Sequence, residues 1–247
     1  MSKTQNALAK GEKGYEKSRV WASAKTQKSS EVKPLRDDSA RALMELYQGL
    51  KINLLSLYPD KSIKTILFTG TTHGGGVSTM AINFATTLAN NCALKVLLIE
   101  GNYRTPCLYQ VYKIGDTPES GFFENAKETT YRIKKVGPGN VYVLPWCWNL
   151  SNPVAYFESK PFENFLSLVR REFDYIILDA PPILSFPESL VLCGKVDGVI
   201  LVFEAGKTRQ QVAVRAKKEL EKAGGVLLGQ VLNKKKYYIP EWIYKRL

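Results

Sequence analysis

The sequence has a single histidine, His73, in 247 residues. One imidazole excludes the multi-histidine ligand sets that hold catalytic zinc. The four cysteines, Cys92, Cys107, Cys147 and Cys193, are scattered, with no Cys-x-x-Cys pair among them. That spacing excludes a zinc ribbon or a paired redox motif, and it favours reduced thiols in a cytoplasmic protein over a disulfide framework. No stretch approaches the roughly 18 apolar residues of a membrane span, and the first residues lack the apolar core of a signal peptide. The expectation is a protein that is soluble or peripheral to a membrane. Acid is also scarce, since 23 Asp and Glu face 35 Lys and Arg for a net charge of +12. Such a surplus favours an acidic partner: anionic lipid, nucleic acid or an acidic protein face.

What is present is one core's worth of apolar residues, 45% of the chain. Residues 1–36 are rich in Lys, Ser, Gln and Gly without apolar periodicity, which predicts a disordered basic tail. Asp38 and Ser39 are N-cap candidates, and Leu43, Leu46, Tyr47, Leu50, Leu54 and Leu57 then recur at helical spacing up to Pro59. Beyond that helix, apolar runs predict strands over 63–69, 95–100, 141–144, 175–179, 199–203 and 226–233, and periodicity predicts helices over 78–90, 161–171 and 209–223. Residues 113–140 read as a polar stretch, apart from the connections. Strands alternating with helices predict an α/β fold: a mostly parallel sheet with helices on both faces. Residues 237–247 form an aromatic and basic C-terminal tail.

The first strand runs into Thr71-Thr72-His73-Gly74-Gly75-Gly76-Val77-Ser78-Thr79 and then a helix. At that junction backbone N–H groups and a helix N-terminus can hold phosphate. A phosphate loop reads G-x-x-x-x-G-K-[ST], with the lysine on the β- and γ-phosphates and the hydroxyl on magnesium. Gly76 and Ser78 fit, Thr71 stands at the first glycine, and Val77 stands at the lysine. Valine offers no charge, so efficient phosphoryl transfer is not expected. A plain glycine turn is the alternative. The second strand ends in Glu100, at the sheet edge where ligands of open α/β folds bind. A later strand ends in Asp179, followed by Ala180-Pro181-Pro182, and a carboxylate there would hold Mg2+ directly or through water. The alternative for Asp179 is a strand-end turn residue.

From about residue 38 to 236 these features, taken in order, resemble the cytoplasmic catalytic domain of bacterial tyrosine kinases of capsular and exopolysaccharide synthesis. Those kinases are kin of the septum-site and chromosome-partition ATPases. The resemblance runs through the glycine loop, the acidic strand with Arg104 and Pro106, Asn152-Pro153, the Asp-x-Pro-Pro ending at Pro182, Asp197-Gly198 and Val231-Leu232-Asn233. It implies a P-loop NTPase-like three-layer sandwich over 37–236 and a site for ATP or ADP with Mg2+. By the same resemblance Gly74, Gly75, Gly76, Ser78 and Thr79 contact phosphate, Ser78 and Asp179 hold the metal, and Asn233 contacts the base. Glu100 and Asn102 stand where the family carries two aspartates, which weakens metal binding and activation of the attacking hydroxyl. The family's E-x-x-R-x-x-R assembly signature retains only Glu45, so homo-oligomer formation is left open.

The implied function is a domain with weak or no phosphotransfer, regulatory or scaffolding in exopolysaccharide and capsule synthesis and export. Its implied place is peripheral at the inner membrane, beside a membrane-anchored chain-length or export protein and an anionic membrane surface. Tyr237, Tyr238 and Tyr244 are phosphoacceptor candidates by analogy; the alternatives for that tail are partner docking and interfacial anchoring. The rival reading is an active tyrosine autokinase or ATPase with a substitute cation, for which Lys207 and Lys234 to Lys236 qualify by composition. A partition-type ATPase acting on nucleic acid is the third reading and the least favoured.

Overall fold

Every residue of β1 (Thr65–Gly70) is buried, as expected of a central strand covered on both faces. Its side chains divide by the two-residue period of a strand: Leu67 enters one core, while Ile66 and Phe68 enter the other. Parallel pairing places β5 (Tyr175–Asp179) on one side of β1 and β6 (Gly198–Glu204) on the other. The sheet then extends through β2 (Val96–Glu100) and β4 (Val141–Leu144) beyond β5, and through β7 (Leu227–Asn233) beyond β6, all parallel. A three-residue edge strand, β3 (Lys134–Val136), pairs antiparallel with β4, giving the order β3-β4-β2-β5-β1-β6-β7. This computed structural model describes residues 45, 47–53, 56, 62–114, 133–137, 139–145 and 152–235, the side chain of residue 91 excepted.

One face of the sheet is covered by α1 (Val77–Asn91), the short α2 (Leu108–Val111) and Tyr47 from the helical residues 47–53. Ala81, Phe84, Ala85 and Leu88 of α1 recur at three- and four-residue spacing against Phe68, Leu98 and Ile177. The other face is covered by α3 (Pro153–Glu158), α4 (Lys160–Glu172), α5 (Pro187–Cys193) and α6 (Gln210–Lys222). There Phe157, Phe162, Phe165 and Val169 form the largest block, with Leu192, Ala216 and Leu220 beside it. The helix α4 is well specified locally: Ser159 accepts from the Phe162 N–H, Glu163 lies in the first turn, and Arg170 and Arg171 lie in the last.

The predicted α/β sandwich with a mostly parallel sheet is the fold observed. Four short elements, α2, α3, α5 and β3, escape the periodicity because each runs for seven residues or fewer, too few to establish a recurring pattern. Lys134 and Lys135 make β3 look like loop, yet lysines suit an exposed sheet edge, where they oppose pairing with another chain. Asn152-Pro153 proves to be the start of α3: the Asn152 side chain accepts from the Ala155 N–H at 3.1 Å, and proline takes the first helical position. Asp197 ties the amino edge of the sheet. Its carboxylate accepts the N–H groups of Lys64 and Thr65 at 2.9 and 2.8 Å and the Arg170 guanidinium at 2.8 Å.

The expected tails at 1–36 and 237–247, with Tyr237, Tyr238 and Tyr244, lie outside the described residues, as does Cys147. Cys92, Cys107 and Cys193 are free thiols. Among the described residues no helix is long and apolar enough to cross a membrane.

Candidate functional site

The carboxyl edge of β1, β2 and β5 gathers most of the predicted site residues. Gly74 and Gly76 have φ of +73° and +86°, a conformation that side-chain-bearing residues rarely adopt. At Gly76 a second constraint acts, since a Cβ there would collide with the Asn233 carboxamide. The loop therefore curls over the start of α1, a 15-residue helix, with Gly76 as its N-cap. Ser78 is half-buried in the first turn and Thr79 is exposed next to it.

Val77, at the position of the missing lysine, is buried in the core of the α1 face. It lies so close to β1 that a Cβ at Gly70 would stand 2.8 Å from its Cγ2. The residue thus does packing work at a position that would otherwise carry charge.

Register pairing sets Asp179 beside Phe68 of β1 and beside Glu100 of β2. Asp179 is fully buried, and neither carboxylate oxygen has a hydrogen-bond partner of sound geometry. Burial pushes its pKa up from 3.8 to about 7; the Ser78 hydroxyl draws it down and the Glu100 carboxylate adds to the rise. Buried Thr71 Oγ1 and Asn102 Oδ1 are also without partners, and these residues lie one and two positions beyond the ends of β1 and β2. Native interiors rarely leave such groups unsatisfied, so their concentration at one edge is the signature of a place that a polar ligand completes. Among the described residues no three His, Cys, Asp or Glu side chains converge to form a metal site by themselves. One carboxylate beside one hydroxyl nonetheless fits Mg2+, which takes few protein ligands and relies on phosphate and water oxygens for the rest.

Glu100 is engaged differently. Its Oε1 accepts the N–H of Cys107, and that of Leu108 at 3.0 Å, so it holds the turn that opens α2. Cys107, which no motif singles out, lies within electrostatic reach of Asp179 and Glu100 and hydrogen-bonds with the Ser78 side chain. Its thiol is pushed up to about 12, by burial first and then by Asp179 and Glu100. It stays protonated at neutral pH.

The rim is braced by Arg104. Its guanidinium stacks on Phe186 at 4.3 Å and pairs with buried Glu188 at 3.2 Å. His73 sets its ring against the same Phe186 at 5.4 Å, tying the loop to the start of α5.

From the far side of the loop, the Asn233 carboxamide donates to the Gly75 carbonyl at 2.9 Å. The Lys234 ammonium donates to the Gly74 carbonyl and lies 3.5 Å from Glu204, which also pairs with Lys207 at 2.8 Å. Sequence reading marks Lys234 only as one of several lysines. The signal that separates it is the left-handed turn after β7, visible only in three dimensions. Lys207 meets Glu204 and not the loop.

No protein-family model matches the chain. It is 32% identical over 192 residues, 77% of this chain and 83% of the relative, to the tyrosine-protein kinase CpsD of Streptococcus pneumoniae serotype 4. In structure it is similar to the kinase domain of the Escherichia coli tyrosine kinase ETK, with a TM-score of 0.69 and 20% identity over 80% of this chain and 79% of that one. It is similar too to the septum site-determining protein MinD of Pyrococcus horikoshii complexed with Mg-ADP, with a TM-score of 0.58 and 20% identity over 74% of this chain and 76% of that one.

Proposed function

From the premise that this chain belongs to the bacterial tyrosine-kinase family of P-loop, partition-ATPase-like proteins, we propose that it is a nucleotide-binding member with weak or no phosphotransfer. In this reading it regulates or scaffolds the synthesis and export of exopolysaccharide or capsule. The observation that carries the reading is Val77, buried against β1 where a phosphate lysine belongs, within a loop that keeps Gly76 and Ser78.

Backbone N–H groups of residues 74–79 would cradle the phosphates of ATP or ADP, and Asn233 braces that loop. Ser78 and Asp179 would hold Mg2+, which neutralises phosphate charge when bound. Asn102 offers no carboxylate to accept a proton from an attacking hydroxyl, and Glu100 is committed to backbone N–H groups. Both features support binding over transfer. The proposed setting is peripheral to the inner membrane, with a membrane-anchored chain-length or export protein as partner and anionic lipid as a surface for the basic chain.

Titration calorimetry with MgADP and MgATP, followed by phosphotyrosine detection after incubation with MgATP, tests this. Binding without new phosphate is the expected result. Phosphate appearing on Tyr237, Tyr238 or Tyr244 of the unaltered protein would overturn it.

A further inference from the structure

We propose that Lys234 supplies the cation that Val77 lacks, reaching the β- and γ-phosphates of a bound nucleotide from the end of β7 instead of from within the loop. This rests on the nucleotide-binding reading above and assigns the residue that sets its affinity for polyphosphate.

Three features place the ammonium there. Asn233 is the last residue of β7, aligned with Glu204 on β6, and its carboxamide fastens the strand end to the Gly75 carbonyl. Lys234 then adopts φ of +56°, uncommon for a residue with a side chain, while its N–H donates to the Asn233 side chain at 2.8 Å. The turn sends the side chain back across the loop, where the ammonium meets the Gly74 carbonyl.

The charges around it leave a surplus. Glu204 faces both Lys207 at 2.8 Å and Lys234 at 3.5 Å, so two ammonium groups share one carboxylate. Lys207 makes the shorter pair and can keep Glu204 neutralised while Lys234 turns to an anion. Lys234 gives up only a carbonyl and the longer half of a shared pair, and a flexible four-carbon stem makes that exchange easy. A nucleotide seated on the loop amides would lie beside it. The cation strengthens the ground-state hold on the terminal phosphates and leaves the hydroxyl-activating carboxylate still missing at Asn102. Binding is recovered without transfer.

The test is calorimetry of MgATP, MgADP and AMP with the full chain and with Lys234→Ala, Lys234→Arg and Lys207→Ala, each checked for an unchanged thermal transition. Lys234 is exposed on the surface, so truncating it does not threaten the fold. Loss of one charge-assisted contact predicts about 10- to 100-fold weaker MgATP and MgADP binding for Lys234→Ala. AMP, which lacks the β- and γ-phosphates, should change by less than about 2-fold, Lys234→Arg should retain most of the affinity, and Lys207→Ala, which leaves Glu204 to compete for the Lys234 ammonium, should weaken MgATP binding by less than Lys234→Ala does. An equal loss for AMP and MgATP would make Lys234 a brace of the loop and overturn the proposal. Binding by the parent that Lys234→Ala leaves intact would overturn it while sparing the nucleotide-binding reading. No nucleotide binding by the parent would overturn both.

Discussion

Replacing Asp179 by asparagine should make the protein more stable at pH 8 and about 1–2 kcal/mol less stable at pH 4. The carboxyl is fully buried beside Glu100 and lacks a hydrogen-bond partner of sound geometry, and its pKa is raised from 3.8 to about 7. Below about pH 4 the group is protonated in both folded and unfolded chains and has no effect on the balance. Between pH 4 and 7 the unfolded chain has released the proton and the folded chain retains it, so stability falls as pH rises. At about 1.4 kcal/mol per pH unit the full gap is worth about 4 kcal/mol. An asparagine side chain leaves its own amide without partners in the same place, a loss of about 1–2 kcal/mol. The net gain for Asp179→Asn is therefore about 2–3 kcal/mol at pH 8. Urea unfolding of parent and variant at half-unit steps from pH 4 to pH 8 reads this directly. The variant should start below the parent at pH 4, overtake it as pH rises and level off above 7. Profiles that stay parallel, or a variant less stable at pH 8, would refute the reasoning that a functional carboxylate is held here against the preference of the fold.

Asp197→Ala removes the acceptor for two backbone N–H groups and Arg170, and should lower stability by about 2–3 kcal/mol in chemical denaturation at pH 7. Burial raises the Asp197 pKa, but the Thr65 N–H, Arg170 and the Lys64 N–H together lower it below 3.8, so the parent's advantage should hold down to about pH 4 and be lost only as acid titrates the folded group. Phe84 lies between the rings of Tyr47 and Phe68, at 6.5 and 5.5 Å, and Phe84→Ala should reduce stability by about 3–5 kcal/mol with loss of near-ultraviolet circular dichroism. Asn152→Ala should lower stability by about 1 kcal/mol through loss of the α3 cap, with nucleotide affinity unaltered.

Much of this was legible in the chain because it is locally encoded. Apolar runs of five to seven residues mark β1, β2, β5 and β6, since a strand buried on both faces needs no polar alternation. The glycines between the first strand and α1, and the carboxylates Glu100 and Asp179 at strand ends, follow from the same local pattern. Asn233 was legible only through its family resemblance, and its bond to the Gly75 carbonyl, 158 residues earlier, was not legible at all.

The order of residues by itself determined the fold class, the place of the phosphate loop and the absence of its lysine, because backbone propensity and burial act over a few neighbouring residues. Tertiary structure decided which charges meet. Parallel pairing of β1 with β5 brings Asp179 to the loop, and pairing of β6 with β7 brings Glu204, Asn233 and Lys234 to its other side. Composition could not separate Lys234 from Lys207 or Lys235. Only the left-handed turn at the end of β7 does so, because the direction of one long side chain depends on the backbone beneath it.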